Sequence, residues 1–516
     1  MAATAQTALF TLPESFVPAT APTVGKRPTV LSYGLGADST AILLKFLADP
    51  QTYGLEPDLS DLIVVHAVTG DEWPDSLSYV ERRVLPLLAA RRVRTVQIAR
   101  GGRRDADGVL ILDDTRTPSR IWAAGPWRLS AELRAAGTVP QMASGRRTCS
   151  IRFKGWCLDA WAAYEFDTAT FRRVIGYHAG ERDRAEKDTK IQERINAEAG
   201  RVVCEPYYPL IETDGMDRSA VEAYVHARLG EKIKKSYCAQ CPFSGVCASR
   251  DRHEERLREH PEIGSAVLMM EYASRALNEK VALYGERSLY QQLAEDVAWN
   301  DELLTRFERN LDEAPFALYE VRRLYLSGRT NDCKTWHGKR CSSPRWWCRA
   351  KRSTACRRHH RAGASAPWCA GSDPRCRGEQ AKGQAWRSVR TVWEGSRFDA
   401  EMTLLRWGRA AGARIRAGEK SVIRRAHYLE AVDGYPSANA YLVAAPAGVE
   451  DKQRTAKKPD AGFEAKWTQV TGLTGTRWEP IRPLVVRERD RSSGPVPVRP
   501  LAPSEGQRAS DVELTA

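Results

Sequence analysis

Ser32-Tyr33-Gly34-Leu35-Gly36-Ala37-Asp38-Ser39-Thr40 lies between a short β-prone run, Thr29 to Tyr33, and a stretch in which Ile42, Leu43, Phe46 and Leu47 recur at helical spacing. The order is strand, glycine turn, helix. Glycines let the backbone turn tightly and approach an anion, and the first turn of a helix offers unpaired N–H groups and a partial positive charge. Ser39 and Thr40 add candidate hydroxyl donors. Asp38 is placed to cap the helix or to help hold a magnesium ion. No Gly-Lys-Ser/Thr follows, which excludes the Walker type of phosphate loop.

The same alternation continues outward. Leu62 to Val68 reads as a buried strand, Ser76 to Ala90 as helical, Thr95 to Ala99 and Arg173 to Tyr177 as further strands. Asp217 is the expected N-cap of a helix through Val221, Tyr224, Val225 and Leu229 that Gly230 stops. Strands separated by helical crossovers predict a layered, parallel α/β sheet with helices on both faces, over residues 25–249. Residues 1–24 read as a disordered tail, 250–330 as a helical extension, 396–485 as a small helical region and 486–516 as a second tail. The C-terminal third is expected to be basic and poorly ordered.

The chain has 516 residues, 42% of them hydrophobic, and a formal charge of +14. No apolar run is long enough for a membrane span, and the first residues lack a secretory signal, so a cytoplasmic protein with no membrane partner is expected. In that compartment twelve cysteines read as thiols or metal ligands. Residues 331–380 hold twelve Lys or Arg against three Asp or Glu, and supply +9 of the +14. Within 331–395 the cysteines, tryptophans and arginines show little period. The segment reads as a metal-binding insert, a disordered linker that could contact nucleic acid, or an alternative reading frame of a GC-rich gene.

The loop at Gly34–Ser39 resembles the S-G-G-x-D-S pyrophosphate loop of the adenine-nucleotide α-hydrolase superfamily, which includes phosphoadenosine-phosphosulfate (PAPS) reductases and ATP pyrophosphatases. Aligned on Asp38-Ser39, Gly36 matches, the family's first Ser falls on Gly34 and its first Gly on Leu35, and Ser32 is the candidate for the missing hydroxyl. Four further segments come in family order. Thr69-Gly70-Asp71-Glu72-Trp73-Pro74 is similar to T-G-x-E-x-P, which implies an adenine cradle built on Val65 to Ala67, His66 included, with Gly70 and Glu72. Thr148-Cys149-Ser150-Ile151-Arg152-Phe153-Lys154 is similar to C-[ST]-x-x-x-K, which makes Arg152 and Lys154 candidate phosphate contacts. Gly176 to Arg182 resembles the segment in which an acid and an arginine, here Glu181 and Arg182, close the site. Tyr208-Pro209-Leu210-Ile211 with Met216-Asp217-Arg218 resembles the stretch before the last core helix, without its tryptophan.

Cys238, Cys241 and Cys247 give C-x2-C-x5-C, with Pro242 holding the turn. Three ligands are local, and Cys149 is the candidate fourth. The set resembles the four-cysteine [4Fe-4S] arrangement of DNA-phosphorothioation sulfur-transfer proteins, while four thiolates also suit zinc. Cys157 and Cys204 sit in apolar surroundings and read as core.

Reductases of this superfamily that depend on a thiol carry E-C-G-x-H, which is absent here. The resemblance therefore implies an ATP pyrophosphatase-type enzyme that takes ATP or PAPS with Mg2+, cleaves at the α-phosphate and supports sulfur transfer, with a sulfur-donor protein as a candidate partner. The alternatives are a sulfonucleotide reductase and a non-catalytic nucleotide- or nucleic-acid-binding accessory protein.

Overall fold

The computed structural model describes residues 27–143, 146–243, 248–285, 287–328, 381–418, 421–451, 460–475 and 478. The first sheet has six strands: β1 (Thr29–Ser32), β2 (Leu62–Val68), β3 (Arg94–Arg100), β4 (Val109–Thr115), β7 (Phe171–Val174) and β8 (Cys204–Tyr207), with a two-residue hairpin of β5 (Met142–Ala143) and β6 (Arg146–Arg147) outside it. Its order is β4-β3-β2-β1-β7-β8. All neighbours are parallel except β3 and β4, so the expected parallel sheet carries one antiparallel edge strand.

Alternation within the strands divides the core in two. Leu31 and Val64 face the helices Ala37–Ala48, Pro74–Arg83, Leu85–Ala90 and Arg218–Leu229. Val30, Ile63, Val65 and Val96 face the helix Trp156–Phe166 through Cys157 and Trp161. Helices thus cover both faces, and Cys157 lies in the core where the sequence puts it. Cys204, at the start of β8, does too. Asp217 accepts from the Ala220 N–H at 2.8 Å and caps its helix, which Gly230 ends in a left-handed conformation.

The winding reverses at β1: β2 and β3 lie on one side, β7 and β8 on the other. In open α/β sheets the loops that leave such a point from the carboxyl ends of the strands diverge and leave a crevice. The loop after β1 and the loop after β7 line it here.

The region 250–330 is only partly the expected helical extension. Helices Ala248–Glu259, Pro261–Leu277, Leu289–Leu293 and Asp301–Glu313 are present, but Phe316–Gly328 is a strand, β9. The C-terminal third departs further. Around the helix Arg397–Ala410, the strands β10 (Ala381–Gly395), β11 (Arg414–Gly418), β12 (Ser421–Leu429) and β13 (Ser437–Pro446) join β9 in an antiparallel sheet of order β10-β9-β13-β12-β11. The region 396–485, expected to be small and helical, holds the helices Arg397–Ala410 and Asp460–Thr471 but also three strands of this sheet; residues 329–380 and 479–516 lie outside the described residues. The helical reading failed because β9 is buried on both faces and its period of two is blurred: Tyr319 and Val321 enter one core, Leu324 another. Arg322, which looks like a solvated residue, is buried against the rings of Phe463 and Trp467 and bonded to Glu464.

This second sheet closes the C-terminal end of the helix Pro261–Leu277. The buried Arg425 guanidinium donates to the carbonyls of Arg275 and Ala276, and the Tyr441 hydroxyl to that of Leu277 at 2.6 Å. These carbonyls have no partner within their helix. Arg425→Met should therefore lower stability by about 3 kcal/mol, the scale of losing charged hydrogen bonds to buried carbonyls, measured as a shift of the urea unfolding midpoint.

Candidate functional site

The crevice beside β1 opens into a cavity of about 1370 Å³ lined by Gly34, Gly36, Asp38 and Ser39 on one side and by the Lys232–Tyr237 segment on the other. The loop after β1 turns through Leu35, a buried non-glycine residue with φ of 57°, a sparsely populated conformation. Gly36 is the N-cap of the following helix and supplies no side-chain cap, so the helix N–H groups face the cavity without a protein acceptor from that position. The loop after β7 packs against this start: a Cβ on Gly176 would stand 2.9 Å from the Ser39 nitrogen. Only glycine permits that approach.

The sequence-derived residues divide into two groups. Ser32, Gly34, Gly36, Asp38, Ser39, Lys154, Gly176 and Glu181 all line the cavity. Ser39 is partly engaged, donating to the Gly36 carbonyl at 3.2 Å and accepting from the Gly34 N–H at 3.3 Å. Asp38 does not cap the helix; one carboxylate oxygen binds Arg218 at 2.8 Å and the other is buried without a hydrogen bond. Burial raises its pKa against the opposing pull of Arg218 and His178.

The others lie elsewhere. Thr40 is fully buried, its hydroxyl against that of Tyr33 at 3.0 Å. His66 is buried beneath the site, with Nδ1 2.9 Å from the Tyr33 carbonyl and Nε2 unpartnered; burial lowers its pKa. Gly70, at φ of 85°, and Glu72 form a turn in which the Glu72 carboxylate accepts from the N–H groups of Thr69, Gly70 and Asp71 and from the Thr69 hydroxyl. Arg152 points away, bonded to Glu132 and, at 2.9 Å, to the Arg103 carbonyl. Arg182 is exposed; Arg184, two residues on, takes the expected place, bonded to Glu181 and 4.7 Å above the Tyr177 ring.

Cys149, Cys238 and Cys241 gather around Lys154. Burial opposes the Lys154 charge, but Cys238, then Glu72, Cys241 and Cys149, outweigh it and raise its pKa. Burial pushes the Cys238 thiol up to about 12, against the pull of Lys154, and its sulfur lies 3.4 Å from the Thr69 hydroxyl. Burial raises Cys241 as well. A bond of 2.9 Å from the Cys241 N–H to the Cys238 carbonyl closes the C-x2-C turn. Cys247 lies outside the described residues. Among the described residues the three sulfurs do not all stand within 4.8 Å of one another; the trio that does is Asp75, Glu259 and His260. Lys234 sits 3.1 Å from both of those carboxylates and Arg256 binds Asp75, so protein cations already balance that trio.

No family model, no curated protein and no solved structure matches the chain. The site's own chemistry therefore carries the reading.

Sequence reasoning missed most of the opposite wall. Ser236 donates to the Gly34 carbonyl at 2.6 Å and so lays the Lys232–Tyr237 segment over the loop after β1. Arg147, Arg218, Lys235 and Arg252 line the same cavity. Burial lowers the Lys235 pKa, and the nearby charges of Arg218, Arg147 and Arg252 lower it further, which is the electrostatics of a place suited to an anion. The basic run Lys232–Lys235 was visible in the sequence; its return to β1 was not.

The cysteine segment is anchored from behind. His253 lies with Nε2 2.7 Å from the Ala239 carbonyl and Nδ1 2.8 Å from the Tyr284 hydroxyl, so the neutral ring donates to one and accepts from the other. Burial lowers its pKa to about 4 from the ordinary 6.5. The unfolded chain then binds this proton more readily than the folded one between these values, so the stabilisation is complete above pH 6.5 and is lost as pH falls toward about 4. Melting temperatures of the wild type and His253→Gln should accordingly converge as pH is lowered from 6.5 to 4.

Proposed function

We propose that the protein is a PAPS reductase-like, ATP pyrophosphatase-type enzyme that binds an adenine nucleotide in the cleft beside β1, cleaves it at the α-phosphate and supports sulfur transfer through its cysteine site. The observation that carries this reading is the convergence, in one cavity, of an uncapped helix N-terminus, the cations Arg147, Lys154, Lys235 and Arg252, and a cysteine turn at its edge.

The phosphates lie on the Gly34–Ser39 turn, where helix N–H groups and the facing cations balance negative charge. The unpartnered oxygen of Asp38 would help hold a magnesium ion, which would supply neutralising charge to the phosphates. An acceptor oxygen attacks the α-phosphorus, the bond to the bridging oxygen breaks, and pyrophosphate leaves. Lys154, which lines the cavity beside the three thiols, offers its ammonium to charge that develops at that end.

Cys149, Cys238 and Cys241, with Cys247, would hold the metal group. Four thiolates suit a [4Fe-4S] cluster and suit a single zinc ion as well. Such a cluster supplies a site for binding or handing on sulfur.

The test is pyrophosphate release from ATP by anaerobically purified protein. Lys154→Met and Asp38→Asn should each lower kcat/KM about 100-fold, the usual cost of one charge-stabilising contact. Arg182→Ala, outside the cleft, should leave it unchanged. Sulfite release from PAPS without pyrophosphate from ATP would instead identify a sulfonucleotide reductase. Iron, sulfide and zinc analysis of Cys238→Ser and Cys241→Ser decides the metal.

A further inference from the structure

Asp71 has every polar group committed, to its own turn, to the cysteine turn and to the helix Leu129–Ala135. Its N–H donates to Glu72 in the turn after β2 at 3.2 Å. Its carbonyl accepts from the Ala239 N–H, between Cys238 and Cys241, at 2.8 Å. One side-chain oxygen accepts from the Gln240 amide at 2.8 Å. The other accepts from the Ser130 N–H at 2.6 Å, in the first turn of the helix Leu129–Ala135. Among the described residues it is neither a cleft-lining residue nor a thiol neighbour of Lys154, so it touches neither nucleotide nor metal in the proposed reading.

We infer that Asp71 is the positioning residue that fixes the cysteine turn against the end of β2, and thereby sets where Cys238 and Cys241 stand relative to Lys154 and the nucleotide cleft. The inference rests on the proposed function for its purpose, but its geometry stands apart from it. The backbone of Ala239 is held on both sides, its N–H by the Asp71 main-chain carbonyl and its carbonyl by His253, while the Asp71 carboxylate holds the neighbouring Gln240 amide. Of Asp71 and His253, it is Asp71 that sits in the turn directly after β2, a strand of the sheet that carries the nucleotide loop. A carboxylate also suits the helix start at Ser130, where two negative oxygens meet a backbone donor and a side-chain amide.

The chemistry distinguishes Asn from Ala at this position. Gln240 is buried, and its carbonyl oxygen has no hydrogen bond. In Asp71→Asn the new carbonyl oxygen can still accept from Ser130, and its amino group can donate to that orphaned oxygen once the Gln240 amide turns over. In Asp71→Ala both the Ser130 N–H and the Gln240 amide lose their acceptor, and burial makes that loss expensive.

The experiment measures the rate at which N-ethylmaleimide alkylates Cys238 in the full-length protein, purified anaerobically, by mass spectrometry of the peptide. Asp71→Ala should raise the rate at least tenfold and Asp71→Asn should stay within twofold of wild type. Arg425→Met, which destabilises the chain far from this turn, should leave it near wild type at the same distance below its melting temperature. Gln240→Ala removes a single tie, and should give an intermediate rate if Asp71→Ala does not fold. An unchanged rate in Asp71→Ala, or Asn behaving as Ala does, overturns the inference. A Cys238 response in a protein that releases no pyrophosphate would uphold the positioning role and sink the proposed activity instead.

Discussion

The backbone of Gly176 lies so close to the first turn of the helix after β1 that a methyl group there would collide with the Ser39 amide. The contact follows from placing β7 beside β1 at the point where the sheet reverses its winding. It brings two loops from the carboxyl ends of adjacent strands into register, and sets His178, Glu181 and Arg184 on the same cavity as the helix N-terminus.

The second wall comes from a different kind of constraint. Trp73 is fully buried where the turn after β2 begins its helix, and the rings of Tyr237, His253 and His260 pack around it with the Arg256 guanidinium 4.4 Å from its face. This aromatic box joins the β2 turn, the basic segment and the helix Ala248–Glu259 into one body. Such packing is short-range and directional, so the Lys232–Tyr237 segment is held over the loop after β1 by more than its one hydrogen bond to Gly34. The cations that face each other across the cavity are therefore kept close despite their repulsion, at a cost that an anionic ligand would remove.

The antiparallel sheet reaches the same region through the helix Leu129–Ala135. Arg387 of β10 donates to the carbonyls of Ala136 and Gly137 just beyond that helix, and the Glu450 N–H donates to Ala135 at 2.8 Å. The other end of the helix meets Asp71 through Ser130. A helix gripped at both ends thus lies between the C-terminal sheet and the turn after β2 that holds Asp71. Its hold depends on backbone groups that helix ends leave without partners.

Local patterning by itself determined the strand, turn and helix at Ser32–Thr40, the buried strand Leu62–Val68, the cap at Asp217 and the burial of Cys157, because period, glycine placement and capping act over a few residues. It also placed Asp38 in a candidate role, whereas Lys154 and Glu181 became candidates only through the resemblance of their segments to the adenine-nucleotide α-hydrolase motifs. Tertiary structure alone decided which neighbouring cation turned inward: Lys154 faces the cavity and Arg152 does not, and Arg184 does so in place of Arg182, since helical phase and a nearby acid settle each direction. It also decided that Glu72 spends its charge on its own turn. The C-terminal sheet was illegible for the same reason. β9 pairs with β13 more than a hundred residues away, and pairing over that separation leaves no mark in either strand's local pattern.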